Sequence, residues 1–274
     1  MTPDESASAL LLVAHGSRDV RFAATARRVA TAATTALPGV RVELAYLDLN
    51  EPLLPDALSA LTGDVTVVPL LFGDGYHSKT DLPEILDRAA ARNPRLRPHQ
   101  TPVIGVHSPV PALIDRLAEA GLQAPSARDG VLMYAVGSSD TGSDASVRAR
   151  GRELSRALGV PVETVFATRL GRGGAAVREA VARLRGAGAS RIAASPLFLS
   201  AGLLTERVER VLDDVAPGSL VAGPIADHPA LINAIVHLYR ADTRTPPYSA
   251  RESRPLTTAP AGFAPWHDPY DPHH

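Results

Sequence analysis

Residues 66–83 read TVVPLLFGDGYHSKTDLP, and they decide the fold. The β-branched and aliphatic run over 65–72 is too short for an ordinary helix and lacks polar alternation, which predicts a strand buried on both faces. Gly73 and Gly75 break it. Pro83, ahead of EILDRAAAR, suits the first turn of a helix, where the N–H that proline lacks would have no partner anyway. His77, Lys79 and Asp81 therefore fall on a strand-to-helix loop. In an open parallel sheet such loops gather at the carboxyl ends of the strands, where ligands bind.

Outward from this stretch, strand and helix alternate. Residues 9–14 (ALLLVA) form a second continuous apolar run, ended by His15-Gly16-Ser17-Arg18-Asp19. Phe22, Ala26, Val29, Ala30 and Ala33 follow at helical spacing until Pro38-Gly39 stops the segment. Residues 41–49 (RVELAYLDL) read as a strand, Pro52 opens a helix, and the 66–83 stretch comes next. After its helix, residues 103–106 read as a fourth strand and 111–119 as a helix. This order predicts a doubly wound parallel sheet flanked by helices, with strand order 2-1-3-4. His15, just past the first strand, and His77, just past the third, would then face each other across the switch-point crevice.

Residues 123–129 (QAPSARD) are polar and contain proline, and after them the pattern restarts. Residues 131–140 (VLMYAVGSSD) repeat the first strand and its HGSRD turn, with Val136 in place of His15 and Ser139 in place of Arg18. Residues 194–202 (ASPLFLSAG) repeat 69–75, with Leu204 in place of His77, and Pro111-Ala112-Leu113-Ile114 recurs as Pro229-Ala230-Leu231-Ile232. The chain thus reads as one α/β fold present twice, an internal repeat that sets the architecture. Residues 1–122 form an N-terminal lobe carrying the histidines, 130–240 a duplicated lobe without them, and 241–274 a Pro-rich tail expected to be disordered.

The duplication separates scaffold from chemistry. Strands, glycines and prolines survive in both copies, whereas both histidines give way to apolar residues in the second. Packing or capping roles give little reason for both to disappear together. The first lobe is read as chemically active and the second as its wall or lid.

The 274 residues carry a formal charge of -1 and no cysteine. Near-neutrality gives no global attraction to nucleic acid or an anionic membrane. The missing thiols exclude disulfides, thiolate metal sites and a cysteine nucleophile. The N-terminal segment has no basic stretch and only a short apolar run, so neither a signal peptide nor a membrane span is read, and the cytoplasm is the expected compartment. The remaining candidates are nitrogen and oxygen ligands. A neutral imidazole binds borderline metals and accepts a proton near neutral pH, and two in one crevice point to metal handling. Arg18, Arg21 and Lys79 are candidate partners for ligand carboxylates. Asp81, with Ser17 nearby, is placed to support the histidines from behind, Asp81 by taking the second ring N–H of His77.

Other features are set aside. Gly171-Arg172-Gly173-Gly174 lacks the Gly-Lys-Ser/Thr ending of a phosphate loop. HGSR is not a nucleophile elbow. His107 and His228 recur before helices in both copies and suit helix-entry hydrogen bonding, and His99 and His237 suit surface or packing roles. His267, His273 and His274 lie in the tail.

His15-Gly16-Ser17-Arg18, residues 45–52 (AYLDLNEP), and Val68-Pro69-Leu70-Leu71-Phe72 with Gly75, His77, Asp81 and Pro83 together resemble the sirohydrochlorin chelatases of the class II chelatase superfamily. The likeness spans about residues 9–240, with Asp48 standing where many relatives have Glu. It implies insertion of a divalent metal, Fe²⁺ before Co²⁺, into sirohydrochlorin for siroheme or cobalamin, without ATP or an organic cofactor. It also implies that His15 and His77 are the active-site histidines and hold the metal, with Arg18 and Lys79 at the substrate carboxylates. Two lobes in one chain supply a walled cleft, so a monomer is expected. The competing reading is a non-catalytic carrier of tetrapyrrole or metal.

Overall fold

The computed structural model describes residues 8–73, 77–107 and 109–244, with the backbone alone at His77, Ser78, Val106 and Arg244. The first series of elements is β1 (Ala9–Ala14), α1 (Val20–Ala36), β2 (Val42–Tyr46), α2 (Leu54–Ser59), β3 (Gly63–Pro69), α3 (Leu82–Arg92), β4 (Leu96–Gln100) and α4 (Val110–Glu119). The second is β5 (Asp129–Ala135), α5 (Thr141–Leu158), β6 (Val162–Phe166), α6 (Ala175–Gly186), β7 (Arg191–Pro196), α7 (Leu203–Val215), β8 (Leu220–Val221) and α8 (Pro229–Arg244). All strands pair in parallel, in the orders β2-β1-β3-β4 and β6-β5-β7-β8. In each sheet the winding reverses between the first and third strands, which is the expected doubly wound order.

The pleat explains why the central strands are apolar throughout. Leu10, Leu12 and Ala14 of β1 face one core with α1, while Ala9, Leu11 and Val13 face another with α2 and α3. β5 divides likewise, with Val131, Met133 and Ala135 on one face and Leu132 and Tyr134 on the other. Successive side chains point to opposite faces, so a strand covered on both sides must be apolar at every position.

The fourth strand differs from the sequence expectation. It is the polar segment Leu96–Gln100, paired to β3 from Gly63↔Leu96 to Val67↔Gln100. The apolar residues after it form a 3₁₀ turn, Ile104–Val106, whose Ile104 plugs the core. An edge strand needs only one buried face and tolerates Pro98, so hydrophobicity is a poor guide to it.

The cores also cross the duplication. α4, from the first series, packs on α5 and β7, and α8, from the second, packs on α1 and β3. Each sheet is thus covered on one face by a helix from the other half, and one core runs from Leu10 and Val29 to Val131, Leu154 and Ile235. α8 continues through Arg244, four residues past the end of the apolar repeat; the rest of the tail lies outside the described residues. Those four residues include Asp242, which accepts the hydroxyl proton of buried Thr66 on β3 at 2.6 Å. Asp242→Ala leaves that hydroxyl without its partner and should lower stability by about 1–3 kcal/mol, read by urea denaturation. Adding Thr66→Val should recover most of the loss.

Candidate active site

The turn after β1 is built by backbone geometry. Gly16 has φ +104, and a Cβ there would overlap the Asp48 carbonyl oxygen. The Asp48 N–H donates to the His15 carbonyl at 3.0 Å, and the Ser17 N–H donates to Asn50 Oδ1 at 2.7 Å. Ser17 Oγ accepts from the Asp19 N–H at 3.1 Å, and Asp19 caps α1 by accepting from the Arg21 N–H at 2.9 Å. The loop after β2 is strained to make this fit. Leu49 sits at φ 63, its N–H held by the Asp48 carboxylate at 2.7 Å. Such outliers cost free energy and concentrate at functional sites.

The second copy repeats these bonds. Gly137 has φ +92, and the Thr168 N–H donates to the Val136 carbonyl at 3.1 Å. Asp140 donates its N–H to Ser138 Oγ at 3.0 Å and caps α5 through the Gly142 N–H at 2.8 Å. The Ser138 N–H is taken by Asp144 at 3.0 Å rather than by an asparagine. So the turn closes equally well with Val136 as with His15, and the imidazole is not what holds it. His15 is half-buried, with Nδ1 3.3 Å from the Gly16 carbonyl. A carbonyl can only accept, so the contact is a hydrogen bond in the tautomer that carries its proton on Nδ1, the form that leaves a lone pair on Nε2.

β3 runs beside β1, with Val13 opposite Pro69 and the Leu70 N–H donating to the Val13 carbonyl at 2.8 Å. After β3 a π-helical turn, His77–Asp81, leads into α3. Single π turns are frequent at functional sites. His77 opens this turn and Asp81 closes it, half-buried; the side chain of His77 lies outside the described residues, as do residues 74–76. Gly105 explains how the loop starts: its N–H donates to the Leu71 carbonyl at 3.0 Å, and a Cβ there would collide with the Phe72 backbone.

The carboxyl ends of the two sheets meet. Lys79 Nζ is 2.8 Å from Asp140 Oδ2, and Arg21 joins Asp19 to Glu206 of α7, each at 2.6 Å. Lys79 therefore engages the second lobe, which its sequence context did not indicate. Arg18 is exposed on the first turn. Five of the six large apolar side chains exposed among the described residues also lie at these ends: Val20, Leu49, Leu53, Val136 and Leu203. Single exposed apolar residues are ordinary, but clustering at one end marks a surface for an apolar ligand face.

Three other histidines are accounted for locally. His228 Nδ1 accepts from the Ala230 N–H at 3.1 Å at the entry to α8, and Nε2 lies 3.2 Å from Asp115. His107 departs from the helix-entry expectation. It packs edge-on to His237, with ring centroids 5.1 Å apart, and the N-cap position of α4 is Pro109. Burial, then the neighbouring His237, push its pKa below the usual histidine value. Among the described residues no three His, Asp or Glu side chains gather as a metal site, and no helix is long and apolar enough to cross a membrane.

Sequence reasoning missed Asn50, Gly105 and Asp140. Each acts through a backbone or ion-pair contact with a residue distant in sequence. Only the Asn-Glu-Pro ending of AYLDLNEP hinted at the first.

Comparison with known proteins gives one family model, CbiX, which matches residues 9–120 and again 130–241. A sirohydrochlorin ferrochelatase of Bacillus subtilis is 27% identical over 240 residues, covering 85% of this chain and 90% of that protein. A sirohydrochlorin cobaltochelatase of Priestia megaterium is 27% identical over 216 residues, covering 74% and 68%. Among solved structures, the sirohydrochlorin chelatase SirB of Bacillus subtilis subspecies spizizenii, crystallised with cobalt, superposes with a TM-score of 0.71 at 24% identity, covering 88% of this chain and 97% of that one. That likeness concerns the fold.

Proposed function

Since the chain belongs to the CbiX family, two copies of whose model span most of its length, we propose that it is an enzyme that inserts a divalent metal ion into sirohydrochlorin. The relatives named for this reaction agree in substrate and divide over iron and cobalt. For this chain we favour Fe²⁺, with Co²⁺ second, acting in the cytoplasm as a monomer and with no organic cofactor.

One observation carries the assignment of roles. The first and fifth strands end in turns with nearly the same hydrogen bonds, and the histidine is present in only one of them. His15 is therefore retained for chemistry, and His77, replaced by Leu204 in the other copy, is its partner. Insertion requires loss of two pyrrole protons, removal of water from the incoming ion, and a macrocycle held so that its nitrogens can be reached. An imidazole with its lone pair on Nε2 can bind the ion or accept a pyrrole proton. A pair of imidazoles holds the ion through few bonds, as transfer demands. Asp81, four residues along the π turn, orients His77 in this reading, and Ser17 holds the His15 turn. Arg18 receives substrate carboxylates. Lys79 can add a hydrogen bond to a substrate carboxylate while keeping its contact with Asp140, since an ammonium carries three donors. Val20, Leu49, Val136 and Leu203 offer apolar contact to the faces of the macrocycle. The N-terminal lobe supplies the reacting groups and the C-terminal lobe the opposing wall.

The test is a multiple-turnover assay. Purified protein with excess sirohydrochlorin and Fe²⁺, without oxygen, should convert many equivalents faster than the protein-free mixture. A burst of one equivalent followed by arrest would identify a carrier instead. Competition between Fe²⁺ and Co²⁺ in the same assay decides the metal, because imidazole and carboxylate ligands alone do not discriminate between them.

A further inference from the structure

The π turn that carries His77, and the chain just before it, each meet the other lobe at a residue of one helical turn. Before it, Gly73 lies so close to α5 that a Cβ would come within 2.5 Å of Ser143 Oγ. Within it, Lys79 Nζ reaches Asp140 Oδ2 at 2.8 Å. Asp140 is the N-cap of α5 and Ser143 stands in its first turn. The carboxylate is already oriented: Oδ1 accepts the Gly142 N–H at 2.8 Å and the Ser143 N–H at 3.4 Å, leaving Oδ2 toward Lys79. Less side-chain freedom is lost on pairing than in an ordinary surface ion pair. Lys79, the cap N–H groups and the helix end all favour the charged carboxylate, and its pKa lies below the usual value, mainly through Lys79.

A looser approach joins the corresponding loop and cap of the other copy. There Asp19, the cap of α1, faces Gly202 of the loop after β7, a Cβ at Gly202 falling 3.5 Å from Asp19 Oδ2. In that copy the bridging cation is Arg21, from the same lobe as the cap, reaching Glu206. Only in the histidine-bearing copy does the loop itself supply the cation that ties it to the facing cap.

We propose that the first turn of α5, through Asp140 and Ser143, is a positioning platform for the His77 turn, so that the lobe without histidines fixes the geometry of the histidine in the other lobe. Asp140 is a positioning residue acting through Lys79. The kinetic part of this inference rests on the proposed role of His77; the structural part does not.

Asp140→Asn separates the two. Asparagine caps a helix about as well as aspartate, so α5 is preserved while the charge pair is lost. Amide hydrogen exchange at residues 77–82 should accelerate several-fold at low salt, with α5 amides unchanged, and Lys79→Gln should reproduce it. Because Lys79 is 47% exposed, the difference from the parent protein should shrink in high salt. In turnover, Asp140→Asn should lower kcat a few-fold while leaving KM for sirohydrochlorin within about twofold, in line with a half-exposed ion pair. Unchanged exchange at residues 77–82 in low salt overturns the platform, whatever the activity. A raised KM with kcat unchanged overturns it too, since Asp140 would then serve binding alone. Faster exchange in a protein that turns over no sirohydrochlorin supports the platform and overturns the chelatase reading.

Discussion

His15→Ala and His77→Ala should each abolish multiple turnover, lowering kcat by roughly 10²–10⁴-fold, the usual contribution of a positioned acid–base group. The duplication itself predicts that the fold survives. Val136 occupies the position of His15 in a turn that closes through the same backbone bonds, and Leu204 occupies that of His77 on a complete β7–α7 connection. The melting transition of His15→Ala should therefore stay within about 1 kcal/mol of the parent, as for ordinary substitutions outside a core. His228→Ala is expected to do the reverse. It removes the acceptor for the Ala230 N–H at the entry to α8, costing roughly 1 kcal/mol of stability while turnover by the folded fraction is kept. Residual activity of His15→Ala within tenfold of the parent would mean that its imidazole takes no part in the reaction.

Gly16→Ala should be among the most destabilising single-methyl additions in the molecule, by about 3 kcal/mol or more. Two costs coincide. The backbone is at φ +104, which a Cβ disfavours, and the added carbon would overlap the Asp48 carbonyl, which is fixed by the bond between the Asp48 N–H and His15. Two other glycines separate these terms. Gly39→Ala, at φ +84 with nothing within 4 Å of its Cβ, carries conformational strain alone, about 1 kcal/mol. Gly137→Ala, the duplicate position, meets Thr168 Oγ1 at 2.7 Å and Phe166 Cβ at 2.9 Å, a milder overlap than the 1.8 Å to the Asp48 carbonyl at Gly16, and should fall between. Urea midpoints of the three variants should follow that order. Equal losses at positions 16 and 39 would show that the Asp48 loop yields, and the turn would not be the rigid mount described here. Any Gly16→Ala protein that folds should also lose turnover, because the group displaced is the peptide beside His15.

Much of this was readable without coordinates, for reasons that can be named. Apolar runs such as ALLLVA, closed by glycine and followed by helical spacing, specify buried strands with crossover helices, and chain handedness then permits few strand orders. Of these, 2-1-3-4 is the common order for a four-strand doubly wound lobe, and it is the one found. The edge strand did not, because LRPHQ buries only alternate residues and carries a proline. The histidines were legible because the duplication supplies an internal comparison.

The sequence by itself determined the two-copy doubly wound fold and the candidacy of His15 and His77, because both depend on local periodicity and on the repeat along one chain. Tertiary structure alone decided that α4 and α8 cover each other's sheets, that Asn50 and Gly105 shape the two loops, and that Lys79 reaches Asp140. These are contacts between segments distant in sequence, made by residue types common on any surface. Their meaning comes from which atoms the folded core brings within reach, and no local pattern records that.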